Sequence, residues 1–295
     1  MKKLKDYIAK AMALSGQVRI YSAVTTNTVE KARNLHNMNH TPTVALGRVL
    51  TGIALMSQTL KDERHSITVQ IKGDGPLGGI VAVTDARAGV RGYVHNPNID
   101  LPLNAAGKFD VKSAIGNGYL NVLKDIGLKE PYSGRVDLVS GEIAEDLTYY
   151  YAYSEQIPTA FNLGVLIGRD GRVEAAGGYF MQLLPGASDD AIARIEKRIF
   201  SLEPVTTLVH NGKTPEDIIN MLFPDDDTIE FFDTCPVEYR CTCSRERMER
   251  NLLSLGRKDL QEIAEKDSGA ELQCHFCNSK YYFTRNELQE LLKNA

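Results

Sequence analysis

Cys241-Thr242-Cys243-Ser244-Arg245-Glu246-Arg247 and Cys274-His275-Phe276-Cys277 carry four of the five cysteines of this 295-residue chain. Four thiolates at about 2.3 Å complete a tetrahedral Zn²⁺ shell. C-x-x-C is a usual half-site. C-x-C serves when its stretch is extended, because side chains two apart then point the same way. The 30 residues between the pairs leave room for two helices. Ser244 can cap the first, ending near Gly256, and the second covers about Asp259 to Lys266. After Cys277, Tyr281 to Phe283 reads as a short strand. Thr284 and Glu287 then form a capping box for a last helix bearing Leu288, Leu291 and Leu292. So few large apolar residues cannot stabilise residues 235–295 alone, and a metal is predicted to hold them. His275 could replace a sulfur, but Cys241, Cys243, Cys274 and Cys277 already suffice for one Zn²⁺. Cys235 stands apart as a free thiol.

No cysteine occurs before residue 235. A disulfide-stabilised secreted fold would spread its bridges along the chain, so the clustering points to a metal or redox module. Residues 184–234 read as a helical, acidic linker. Ser188 caps a helix with Ile192, Ile195, Ile199 and Leu202 on one face. Thr214-Pro215 opens another with Ile218, Ile219, Leu222 and Phe223, and Pro224 ends it. Between Lys213 and Arg240 there is no Lys or Arg. That stretch, carrying Ile229, Phe231 and Phe232, is expected to be a solvated connector with a few docking residues.

Residues 1–183 read as a mixed α/β domain. Ile67, Val69 and Ile71 alternate with polar neighbours, Gly73-Asp74-Gly75-Pro76 turns, and Ile80 to Val83 follows. Ala88-Gly89 turns again into Val90, Tyr93 and Val94, an antiparallel meander. Before it, Thr41-Pro42 starts a helix with Leu46, Val49, Leu50, Ile53, Ala54 and Leu60 at helical spacing. Further strands are predicted at Gly134 to Val139, Leu147 to Tyr153 and Gly177 to Leu183. The fold class is therefore α+β, with a largely antiparallel core, a linker and a small zinc domain.

Little else carries chemistry. Gly73 to Gly78 matches G-x-G-x-x-G, but a dinucleotide site needs a helix next, where Ile80 to Val83 gives a strand. Asn211-Gly212-Lys213-Thr214 lacks the first glycine of a P-loop. His36 and His40 have no carboxylate partner, and no nucleophile comes with its base, so the chain does not read as an enzyme. The net charge is −4, and residues 235–295 hold ten basic and ten acidic side chains. Arg245, Arg247 and Arg250 interleave with Glu246 and Glu249, which disfavours a nucleic-acid surface. The start resembles a leader only superficially, since Asp6 and Lys10 interrupt it, and no apolar run approaches the ~20 residues of a membrane span. A cytoplasmic protein is expected. Both cysteine pairs are close enough to oxidise locally, and oxidised thiolates no longer bind metal. A zinc-to-disulfide switch is thus available. The competing reading is a structural zinc module with a nucleic-acid or protein interaction role and no switch.

The cysteine pattern in its C-terminal setting resembles the zinc centre of the heat shock protein 33 family of redox-regulated chaperones. Gly73-Asp74-Gly75-Pro76, Gly116-Asn117-Gly118-Tyr119, Tyr149-Tyr150 with Ser154-Glu155-Gln156, and Ala175-Ala176-Gly177-Gly178 extend the likeness along the chain. The resemblance implies an ATP-independent holdase, inactive while its cysteines are reduced and zinc-bound. It implies oxidation to the disulfides Cys241–Cys243 and Cys274–Cys277, with zinc release and loosening of the linker. Unfolding client proteins then bind, usually to a dimer, and pass to ATP-driven foldases. Met248 stands where some relatives have a further cysteine. Ile192, Ile195, Ile199, Ile218, Leu222 and Phe223 are expected to dock on the core at rest and to face clients on release.

Overall fold

The computed structural model describes residues 5–266 and 269–293. It divides into two compact units, Met1–Arg240 and Cys241–Ala295. The first contains β1 (Tyr7–Ala13), β2 (Val18–Val24), α1 (Thr26–His36), α2 (His40–Ser57), β3 (Ser66–Gly73), β4 (Ile80–Asp85) and β5 (Gly89–Val94). It continues through α3 (Val111–Ile115), β6 (Gly118–Asp125), β7 (Tyr132–Asp137), α4 (Ala144–Tyr150) and a π-helical turn at Tyr151–Glu155. Then come β8 (Thr159–Ile167), β9 (Val173–Leu183), α5 (Asp189–Ser201), α6 (Val205–His210), α7 (Pro215–Leu222), β10 (Glu230–Pro236) and β11 (Glu238–Tyr239).

Two sheets sandwich α2. One runs β10-β1-β2-β9-β8 and is antiparallel throughout. The other runs β11-β5-β4-β3-β6-β7, with only the β11–β5 pair parallel. The expected meander is its β3–β4–β5 segment. Because α2 meets both sheets, it is buried on nearly every side rather than along one stripe. Glycine permits that approach: a Cβ on Gly47 would lie 2.8 Å from Val165 Cγ2 of β8. On the far face of the first sheet, α5, α6 and α7 cover Ala9, Ala11, Val18, Ile20 and Met181.

Gly73 and its neighbours form a backbone crossing, not a nucleotide cradle. Asp74 N–H donates to Asn117 O at 2.9 Å and Gly75 N–H to Ile115 O at 2.9 Å. A Cβ on Gly73 would fall 1.9 Å from Ile115 O. The stretch Leu147 to Tyr153, expected as a strand, is instead α4 and the π-helical turn. Its aromatics suggest β-propensity, but Leu147, Tyr150 and Tyr151 recur at helical spacing and are all buried. Asp146, fully buried, organises the loop before it by accepting backbone N–H bonds from Val139, Ser140 and Ile143 at 2.8, 3.0 and 2.9 Å.

The acidic stretch is more structured than a connector. Thr214 and Asp217 form the capping box that opens α7, with Asp217 N–H donating to Thr214 Oγ1 at 3.1 Å. Glu230–Pro236 forms an edge strand on β1. Cys235 therefore belongs to the first unit, opposite Ile8, and the second unit begins at Cys241 rather than at 235. Among the described residues, no helix is long and apolar enough to cross a membrane.

Candidate metal centre

In the second unit, α8 (Arg245–Ser254) and α9 (Arg257–Lys266) are followed by the antiparallel hairpin β12 (Gly269–Gln273) and β13 (Lys280–Thr284), then α10 (Arg285–Lys293). Met248, Leu252, Leu260, Ala264, Phe283 and Leu288 form its small buried core. Ser244 caps α8, accepting from Arg247 N–H at 3.3 Å, and Thr284 with Glu287 caps α10. The predicted helices, strand and caps are therefore all present.

Cys241 and Cys243 lie on the segment entering α8, while Cys274 and Cys277 lie in the loop of the hairpin. That loop is tight. Asn278 N–H and Cys277 N–H both donate to Cys274 O, at 2.8 and 3.3 Å, and Cys274 N–H donates to Ser279 O at 2.9 Å. Asn278 adopts a left-handed φ of 58°, a conformation asparagine tolerates better than most residues. The four sulfurs converge, all within 4.8 Å of one another. Cys241 Sγ is 3.7 Å from Cys274 Sγ, and Cys243 Sγ is 3.4 Å from Cys277 Sγ. A tetrahedral zinc–thiolate shell with bonds of about 2.3 Å has sulfur–sulfur edges of about 3.8 Å. The donor set therefore fits a thiophilic ion of that size, and His275 is not part of it.

The surroundings fit as well. Tyr281 Oη donates to Cys243 Sγ at 3.1 Å, and Ser279 Oγ lies 3.2 Å from Cys277 Sγ. Such outer partners orient metal ligands. Burial, then the neighbouring sulfurs, pushes the Cys241 thiol well above its ordinary range. Burial acts the same way on Cys277, but hydrogen bonds involving Ser279 outweigh it and bring that thiol down to about 7. Four crowded thiolates without a cation would repel one another; a divalent ion removes the conflict.

Arg245 joins the pieces. Its guanidinium donates to Tyr282 O at 2.9 Å, pairs with Glu287 at 2.6 Å and lies 4.3 Å over the Phe283 ring. It thereby ties the start of α8, next to Cys243, to the hairpin and α10. Read along the sequence it was one arginine of a weak patch, because none of these partners is near it in the chain. Tyr281 reads likewise only as a strand residue.

The other candidates are dispersed. Cys235 is half-buried, its thiol pushed up by burial. His36 Nε2 sits 3.1 Å from Tyr239 Oη, and His40 packs against Phe109. Ile195, Ile218, Leu222 and Phe223 are buried against the first sheet, with Ile199 partly buried beside them and Ile192 half-buried. Phe200 on α5 is 90% exposed.

The family model described as "Hsp33 protein" matches residues 6–284. A 33 kDa chaperonin of Acetivibrio thermocellus is 54% identical over 98% of both chains, and one from Ruminiclostridium cellulolyticum is 51% identical over 98% of both. The crystal structure of the 33 kDa chaperonin of Thermotoga maritima superposes with a TM-score of 0.90, at 40% identity over 99% of each chain.

Proposed function

The chain belongs to the Hsp33 protein family, and from that premise we propose that it is an ATP-independent holdase activated by oxidation. The observation that carries the reading is the convergence of Cys241, Cys243, Cys274 and Cys277 in a unit whose apolar core, among the described residues, centres on six buried side chains. A bound zinc ion would supply a cross-link worth about 10–16 kcal/mol of apparent folding energy, comparable to the whole stability of a small domain.

The residues then act as follows. In reducing conditions the four cysteines serve as thiolate ligands, with Tyr281 and Ser279 orienting Cys243 and Cys277. Hydrogen peroxide oxidises Cys241 with Cys243 and Cys274 with Cys277. Each thiolate pair gives up two electrons to one peroxide, which takes two protons from solvent and becomes two waters, and one disulfide forms. No thiolate remains to hold a cation, and so small a core does not stabilise the unit alone. Ile192, Ile195, Ile199, Ile218, Leu222 and Phe223 then lift from the first sheet and offer apolar surface to unfolding proteins in the cytoplasm. The active form is a dimer that yields clients to ATP-driven foldases when thiols are restored. The cysteines act stoichiometrically and turn over no substrate.

One sample tests this. Peroxide at mild heat should release about one zinc per chain, on the Cys₄ stoichiometry, and suppress aggregation of an unrelated unfolding protein; reductant should reverse both. Zinc release with no gain in suppression would leave only a structural role for the centre. Cleavage under oxidation confined to residues outside 186–240 would overturn the assignment of the client surface.

A further inference from the structure

We propose that two copies of this chain pair edge to edge through β7, so that their second sheets run on as one. The contact supplies the interface of the dimer assigned to the active form above, and it rests on that reading.

Bare strand edges invite pairing with another chain, and native sheets blunt them with bulges, prolines, charges or covering elements. Among the described residues the first unit has four such edges, and three are guarded. β10 carries a register shift opposite Ile8 and Lys10, the acids Glu230 and Asp233, and Pro236. On β8, Thr148 Oγ1 of α4 accepts the Phe161 N–H at 3.1 Å. β11 is two residues long, and Lys31 Nζ on α1 donates to its Tyr239 O at 2.9 Å. β7 pairs with β6 without a shift and contains no proline.

The alternation of bonds along β7 is fixed at its end. Leu138 N–H donates to Gly118 O at 2.9 Å, so the even-numbered residues of β7 bond to β6. Ser133, Arg135 and Asp137 therefore turn their N–H and C=O groups outward, and all three are exposed. Large apolar side chains border the same strand: Leu128, Tyr132 and Val139 are 63, 43 and 55% exposed. Apolar surface gathered beside an open edge marks an interaction site.

Charge selects the occupant and its register. Among the described residues Arg135 pairs with no carboxylate, lying instead 3.6 Å over the Tyr119 ring, and Asp137 pairs with no cation. Against an antiparallel second β7, only the outward residues can face one another. Arg135 opposite the second copy's Arg135 sets like charges together. Ser133 opposite Arg135 leaves Asp137 facing Pro131, which has no N–H to give. One register remains, in which Arg135 faces the second copy's Asp137 and Asp137 faces its Arg135. Both charges of each strand are then matched, and each facing pair exchanges two backbone bonds. On the other side of the strand, Val136 falls on the two-fold axis and Gly134 opposite Leu138, with no charge among them. The Tyr132 end of one strand meets the Val139 end of the other. The edge is complementary to itself, as a two-fold interface requires.

Charge reversal tests the register. Sedimentation velocity of the oxidised full-length protein should show a dimer for the wild type. Arg135→Asp and Asp137→Arg each set like charges in both facing pairs and should raise the dissociation constant about tenfold. An equimolar mixture of the two variants should recover wild-type affinity, because each strand then meets its opposite. So should the double variant carrying both changes. Both positions are exposed, and all variants should melt near the wild-type temperature. A wild type that stays monomeric on oxidation would overturn the dimer reading and this contact with it. A dimeric wild type whose single variants dimerise equally well would leave that reading standing and sink the β7 contact, as would a mixture no tighter than either variant alone. Single variants that dimerise normally but lose aggregation suppression would assign the edge to a client segment instead.

Discussion

Tyr281 touches the metal centre through a single hydroxyl, 3.1 Å from Cys243 Sγ. Tyr281→Phe should therefore fold normally but hold zinc about tenfold less tightly, the usual cost of losing an outer partner; competition with a colorimetric chelator measures it. Glu30 is a second informative residue. Burial disfavours its ionised form, but the Arg33 guanidinium and Val173 N–H outweigh that and hold the carboxyl down to about 2. A carboxyl lowered in the folded state stabilises above its unfolded value of 4.5, and the benefit is lost as pH falls from there toward 2. After allowance for screening, the contribution is about 1 kcal/mol. Glu30→Gln should be less stable than the wild type at neutral pH, and the two should converge in acid melts. The convergence of the four cysteines was legible because their spacing alone groups them. Tyr281 and Arg245 were not, because their partners meet them only after the hairpin and α10 have folded.

At the scale of elements, helix punctuation read well, except that α2 starts at His40 behind Asn39 rather than at Thr41. Ser188, Thr214, Ser244 and Thr284 all cap where the sequence placed them, since a cap is a local contract between a side chain and an N–H three residues on. Thr214→Ala should cost about 1 kcal/mol, visible as a lower urea midpoint with an unchanged slope. Strands were harder. Those with clean alternation, such as β3 and β4, were found, while β1, rich in alanine, passed for a failed leader. The π-helical turn was lost to its aromatic content. Whether Glu230–Pro236 would pair was likewise not readable, because its side chains are mostly exposed and its stability lies in backbone bonds to β1.

Across the whole molecule, the two units rest on different kinds of cohesion. The first has an extensive core centred on α2, whereas the second has, among the described residues, seven buried side chains, Cys274 among them, and four converging sulfurs. Chelation should therefore raise hydrogen exchange throughout residues 241–293 while α2 and β2 to β9 keep their protection, a contrast that mass spectrometry of exchanged peptides resolves.

The pairing of β1 with β10 joins Tyr7 to Pro236, nearly the full span of the first unit. Contacts so distant in the chain form late. During synthesis the outer edge of β1 has no neighbour until residues 230–236 have left the ribosome, and bare strand edges invite intermolecular pairing. A nascent chain of this chaperone is thus itself a candidate for assistance, and a fragment ending before Glu230 should aggregate where one ending at Arg240 stays dispersed.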